Sequence, residues 1–124
     1  RVAEREQTVN KLQDDTARLE QSSQQLAQEK EKKQIEIEQS KADLAALEDD
    51  LAQIEEQNNQ LTSLTHEQLA EKRKLNKKLA IVRSQIQKVK NNKQMGEKEK
   101  KAEINRLKKE IGSMSESAKK MQQQ

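Results

Sequence analysis

A single heptad register limits this chain more than any other feature of it. With position a at Val2, position d at Arg5 and each repeated every seventh residue, 16 of the 20 Val, Ile and Leu residues between 2 and 89 fall on a or d. Random placement in two positions of seven would put about six there. A strict 3.5-residue period gives a helix one narrow apolar seam, which leaves water by winding left-handedly around another helix. The expected fold is all-α: a long, extended coiled coil, dimeric or higher, without a globular core.

Composition agrees with that expectation. The 124 residues include no Phe, Tyr, Trp, Cys or Pro and two Gly, with 30% apolar and 38% charged side chains. Nothing forces a helix to bend, and there is little with which to fill a compact interior. Without cysteine there are no disulfides or thiolate metal sites. No run approaches the roughly 18 apolar residues of a membrane span, and "RVAEREQTVN" lacks the apolar segment of a signal peptide. The chain opens on Arg1, so the expectation is a segment of something longer, intracellular and cytoplasmic or cytoskeletal.

The expected pairing core is Leu12, Leu19, Leu26, Ile37, Leu44, Leu47, Leu51, Ile54, Leu61, Leu75, Leu79, Val82, Ile86 and Val89. The seam is uneven. Lys30, Lys33 and Ser40 dilute it before its densest part, and Thr65, Gln68 and Lys72 dilute it afterwards. In this second zone Leu64 and Leu69 flank the seam at g and e, which suggests local repacking or a docking spot for a third helix. Asn58, at an a position, is the candidate register-setting residue, its amide satisfied by an amide opposite; the plainer reading is one more weak position. Lys30, Lys33 and Lys72 can lay their stems along the seam and keep their ammonium groups in water.

Charge divides the chain. Residues 1 to 62 carry 8 basic and 15 acidic side chains, whereas residues 63 to 124 carry 17 and 7. In a parallel homodimer each g residue meets the e residue five positions on. Glu36 with Lys41 attracts, but Asp15 with Glu20, Asp43 with Glu48, Asp50 with Glu55, and Lys78 with Arg83 repel. An antiparallel arrangement would set the acidic half beside the basic half, and a different chain could supply complementary charges. The partner is therefore another coiled-coil helix, from the same or a different chain, with strand direction open.

The pattern stops at "KVKNNKQMGEKEKKAE" and resumes with Ile104, Leu107, Ile111, Met114, Ala118 and Met121 in a shifted phase. A four-residue shift is a stutter that a continuous helix can absorb. Residues 1–92 are then a heptad rod, 93–103 a polar stutter or hinge, and 104–124 a second short heptad helix. Asn91, Asn92 and Gly96 are the candidate hinge residues. A continuous helix, straight or bent, is the expected path. The alternative is a hairpin in which Leu79, Val82, Ile86 and Val89 face Met114, Ile111, Leu107 and Ile104.

No catalytic constellation is present, and neither a cofactor nor a metal site is expected. His66 falls at an outward b position, acidic pairs such as Asp49 and Asp50 diverge on a helix, and phosphate-loop and nucleophile motifs are absent. The basic run includes Lys72, Arg73, Lys74, Lys77, Lys78, Arg83, Lys88 and Lys90, which could contact an acidic partner such as a microtubule, nucleic acid or anionic membrane. Without aromatic residues such contact would be salt-sensitive and largely nonspecific. In pattern the heptads resemble the rods of motor stalks, centrosomal and ciliary scaffolds, golgin-type tethers and chromosome-structural arms. The expected function is a non-catalytic oligomerisation and spacer segment of a larger cytoskeletal, scaffold or tethering protein.

Overall fold

The computed structural model of the chain describes residues 1–62 and 64–123. They form three helices, α1 (Val2–Asn59), α2 (His66–Asn91) and α3 (Glu97–Gln123), with no strand among the described residues. The chain divides into two compact units, Arg1–Glu36 and Ile37–Gln124.

The first unit is helical from Val2 onward, and all of its side chains are exposed. Its hydroxyls do not interrupt it: Thr8 Oγ1 donates to the Glu4 carbonyl at 2.9 Å and Thr16 Oγ1 to the Leu12 carbonyl at 2.8 Å. Each is thereby satisfied within the helix's own turn instead of capping it.

The second unit is a three-helix bundle. Leu44, Leu47, Leu51 and Ile54 of α1, Leu75, Leu79, Val82, Ile86 and Val89 of α2, and Ile104, Leu107, Ile111, Met114, Ala118 and Met121 of α3 form one buried cluster. Leu61 and Met95, one in each connection, pack against it. Neighbours in sequence run antiparallel. Glu48 pairs with Lys90 and Glu55 with Arg83 across α1 and α2, while Leu75 shares a groove with Met121, and Val82 with Met114, across α2 and α3.

The fold is all-α as expected, but the long extended coiled coil without a globular core is overturned, because in residues 37 to 123 the seam is covered by the chain's own helices. Two connections turn the chain back. The first, residues 60 to 65, lies inside the span that the register reads as one rod. Thr65 has extended backbone (φ −66°, ψ 167°) and caps α2 reciprocally: Gln68 N donates to Thr65 Oγ1 at 3.2 Å, and Thr65 N donates to Gln68 Oε1 at 3.0 Å. Such a capping box satisfies two donors that a helix start otherwise leaves open. Lys72 Nζ reaches back to the Leu61 carbonyl at 3.3 Å.

The second connection falls at the polar interruption. There the hairpin replaces the expected continuous helix. Asn92 closes α2 by donating its backbone N–H to the Lys88 carbonyl, and its side-chain Oδ1 accepts from Gln94 N at 3.0 Å. An asparagine bonding the backbone two residues on forms a local turn that competes with helix continuation. With only Met95 as an apolar side chain between Val89 and Ile104 apart from Ala102, a straight helix would gain almost nothing there, whereas folding back buries both flanking stripes.

Candidate functional site

A polar framework fixes the bundle's alignment. Asn58 is fully buried, and its Nδ2 donates to Asn76 Oδ1 at 2.6 Å and to the Lys72 carbonyl at 3.3 Å. The amide opposite Asn58 thus belongs to α2 of the same chain. Ser40, also buried, donates through Oγ to Glu97 Oε2 at 2.9 Å, joining α1 to the first turn of α3. Arg83 grips Glu55 with two guanidinium nitrogens, Nε donating to Oε1 at 3.1 Å and Nη2 pairing with Oε2. That hydrogen bond, with a lesser contribution from the charges of Glu55 and Glu48, raises the Arg83 pKa further above its ordinary value against the opposing effect of burial.

These contacts alter the electrostatic reading of the sequence. Glu48 and Glu55 are e residues that would face Asp43 and Asp50 in a parallel homodimer; here they face Lys90 and Arg83. On α3, Arg106 binds Glu103 with Nη2 at 2.9 Å and Glu110 with Nη1 at 2.8 Å. The hydrogen bond from Arg106 holds the Glu103 carboxyl below the usual carboxylate range.

The expected pairing residues separate into two groups. Leu44, Leu47, Leu51, Ile54, Leu75, Leu79, Val82, Ile86, Val89, Ile104, Leu107, Ile111 and Met114 lie in the bundle core, with Ile37 and Leu61 half-buried. Leu12, Leu19 and Leu26 are instead 60%, 71% and 63% exposed, and Val2 and Val9 on the same register are exposed as well. One heptad frame therefore includes a covered stretch from residue 44 and a bare stretch in the first unit. The bare stretch is the candidate functional surface: an exposed apolar face at helical spacing, bordered by charged residues.

No family model, curated protein or solved structure matches this chain. The surface must be read from its own chemistry.

The candidate basic contacts divide too. Arg83 and Lys90 are held in ion pairs, and Lys72 binds the Leu61 carbonyl. Arg73, Lys74, Lys77, Lys78 and Lys88 are exposed and form no ion pair among the described residues. Lys74 and Lys78 share a groove with Lys120 of α3. Of the candidate hinge residues, Asn91 ends α2, and Asn92 and Gly96 lie in the turn. Leu64 and Leu69 are half-buried, and His66 is exposed as the first residue of α2. No helix among the described residues is long and apolar enough to cross a membrane.

Thr65 and Gln68 as capping partners, and Asn76 as the mate of Asn58, are functional contacts beyond those expected from the heptad pattern. The first had a local signal: "THEQ" is a Thr-x-x-Gln capping box ahead of an apolar-periodic run. Asn76, at an e position, had none.

Proposed function

We propose that the chain is a non-catalytic oligomerisation and spacer segment of a larger scaffold, cytoskeletal or tethering protein, in which the bundle is a folded module and the first unit is the pairing element. The bare heptad face carries this reading. An isolated helix of this polarity draws little stability from propensity alone and normally relies on packing of its apolar stripe. Its 36 residues correspond to about 54 Å at the α-helical rise, enough to act as a spacer.

Light scattering on the whole chain across a dilution series tests the reading. The mass should exceed that of one chain at tens of micromolar and fall towards it on dilution. Replacing Leu12 and Leu19 together with Asp should give one chain at every concentration while the bundle still unfolds cooperatively. A wild-type chain that stays single throughout would refute the proposal.

A second reading rests on the five unpaired α2 cations. These could hold an acidic filament, nucleic acid or anionic surface. Three of the original eight are occupied within the fold, so the binding would fall on Arg73, Lys74, Lys77, Lys78 and Lys88. Loss of polyanion binding as salt rises, and on replacing Lys74 and Lys78 with Gln, would support it; no binding at low salt would remove it.

A further inference from the structure

We infer that the bare face of the first unit takes a second copy of this chain, parallel and in register, as a two-stranded coil. The inference rests on the oligomerisation reading and adds the partner, the strand number and the direction.

The apolar a residues of the first unit, Val2 and Val9, are β-branched, as is Thr16, and its apolar d residues, Leu12, Leu19 and Leu26, are all leucine, while Ser23 and Lys30 at a and Arg5 and Lys33 at d interrupt the seam. Branched residues at a with leucine at d are the combination that packs best in a parallel two-stranded coil. The covered stretch of α1 departs from it, with leucine at a (Leu44, Leu51) and isoleucine at one d position (Ile54), and it is the stretch that sits in a three-helix bundle. The residue choice changes along one helix in step with whether the seam is covered.

The charges point the same way once the fold is known. Of the four repulsive pairs that a parallel homodimer of the whole register would contain, three involve Glu48, Glu55 or Arg83, which the bundle already joins to opposite charges. Within residues 1–36 the repulsion is Asp15 against Glu20 of the other copy, balanced by Arg1 against Glu6. The first unit has 7 basic and 8 acidic side chains, so its net charge barely opposes self-association. The best antiparallel alignment seats Val9 on Leu19 and Val2 on Leu26, but brings Glu6 against Glu20 and the two Asp15 side chains together.

The test uses the full chain and three variants. Asp15→Lys turns both Asp15 and Glu20 contacts from repulsive to attractive in the parallel pair and should tighten dimerisation by about tenfold at low salt. In the antiparallel alignment it exchanges one like pair for another and changes little. Arg5→Cys puts a thiol at a d position in a chain without cysteine; mild oxidation should cross-link two copies only if like ends face each other. Leu19→Asn should abolish dimerisation while thermal unfolding of the bundle is retained.

A dimer that is lost with Leu19→Asn yet neither cross-links through Arg5→Cys nor tightens with Asp15→Lys overturns the parallel self-pair and leaves the oligomerisation reading standing. A trimer or larger assembly overturns the strand number. A chain that is single at all concentrations overturns both.

Discussion

Asn58 tests whether the polar layer of the bundle stabilises it or only aligns it. Replacement by Leu keeps the branching at Cγ and exchanges the amide for two methyl groups. It removes the hydrogen bonds to Asn76 Oδ1 and to the Lys72 carbonyl, each worth about 0.5–1.5 kcal/mol net. Against that, Asn58 Oδ1 is buried without a partner, a condition that costs about 1–3 kcal/mol and vanishes in the variant. A leucine at a fully buried position adds roughly 1.5–3 kcal/mol of burial relative to exposure, less a share for its greater bulk. Asn76 is exposed and can turn its amide to water. Asn58→Leu should therefore raise bundle stability by about 1–2 kcal/mol, read as a higher urea midpoint at unchanged slope by circular dichroism at fixed chain concentration. The bundle's amide resonances should broaden, because only the surface pairs Glu48–Lys90 and Glu55–Arg83 then hold α1 and α2 in one alignment. A fall in stability of about 1 kcal/mol or more would refute the reasoning, since the amide layer would then be a net source of stability.

Three further outcomes follow from individual contacts. Gly112 lies inside α3 with open space where a Cβ would project and no left-handed backbone, so Gly112→Ala should add about 0.8–1 kcal/mol and raise the bundle's thermal midpoint by about 4–8 °C; no rise would place the residue outside a regular helix. Thr65→Ala removes the side-chain half of the capping box and should cost about 0.5–2 kcal/mol, with Thr65→Ser recovering most of it, both read by urea unfolding. The Glu103 carboxyl has a depressed pKa in the folded chain, so its contribution to stability is complete above the unfolded value near about 4.3 and disappears as pH falls through the lower folded value. Glu103→Gln should flatten that part of the acid limb, and an NMR titration placing Glu103 at or above the ordinary value would contradict the Arg106 contact.

The heptad phase was legible because it depends on residue type alone, and the fold keeps it: every expected a and d residue from Leu44 to Ile54, and from Leu75 to Val89 in α2, faces the core. What the phase cannot encode is which helix covers the seam. Leu79, Val82, Ile86 and Val89 can meet another molecule or the reversed stripe from Ile104 to Met114 equally well by pattern. The choice rests on chain connectivity, which brings the intramolecular partner within reach through a five-residue turn. Polar seam positions misled for a related reason. Thr65, Gln68 and Lys72 read as dilution of a rod, but they cap a helix and tie off the preceding connection, and their value emerges only once the helix is allowed to end. Ser40 likewise read as a gap until Glu97, 57 residues on, supplied an acceptor.

The two parts of one register should therefore respond differently to concentration. The bundle closes within a chain, so its stability is fixed by sequence. The a and d positions of the first unit hold five large apolar side chains left 51–73% exposed, and covering them returns about 1–2 kcal/mol each, or roughly 10–20 kcal/mol over two chains. Association takes back about 4–15 kcal/mol in lost freedom, and the charged core positions Arg5, Lys30 and Lys33 take more. The two ranges largely cancel, so the proposed pairing would be weak and reversible instead of permanent. Within a larger protein, any second contact that raises the local concentration of this segment would close the open heptads without altering the bundle beside them in sequence. If the proposed pairing holds, a weak seam that precedes a self-contained fold in sequence would respond to how many copies have been gathered, as a uniformly strong rod would not.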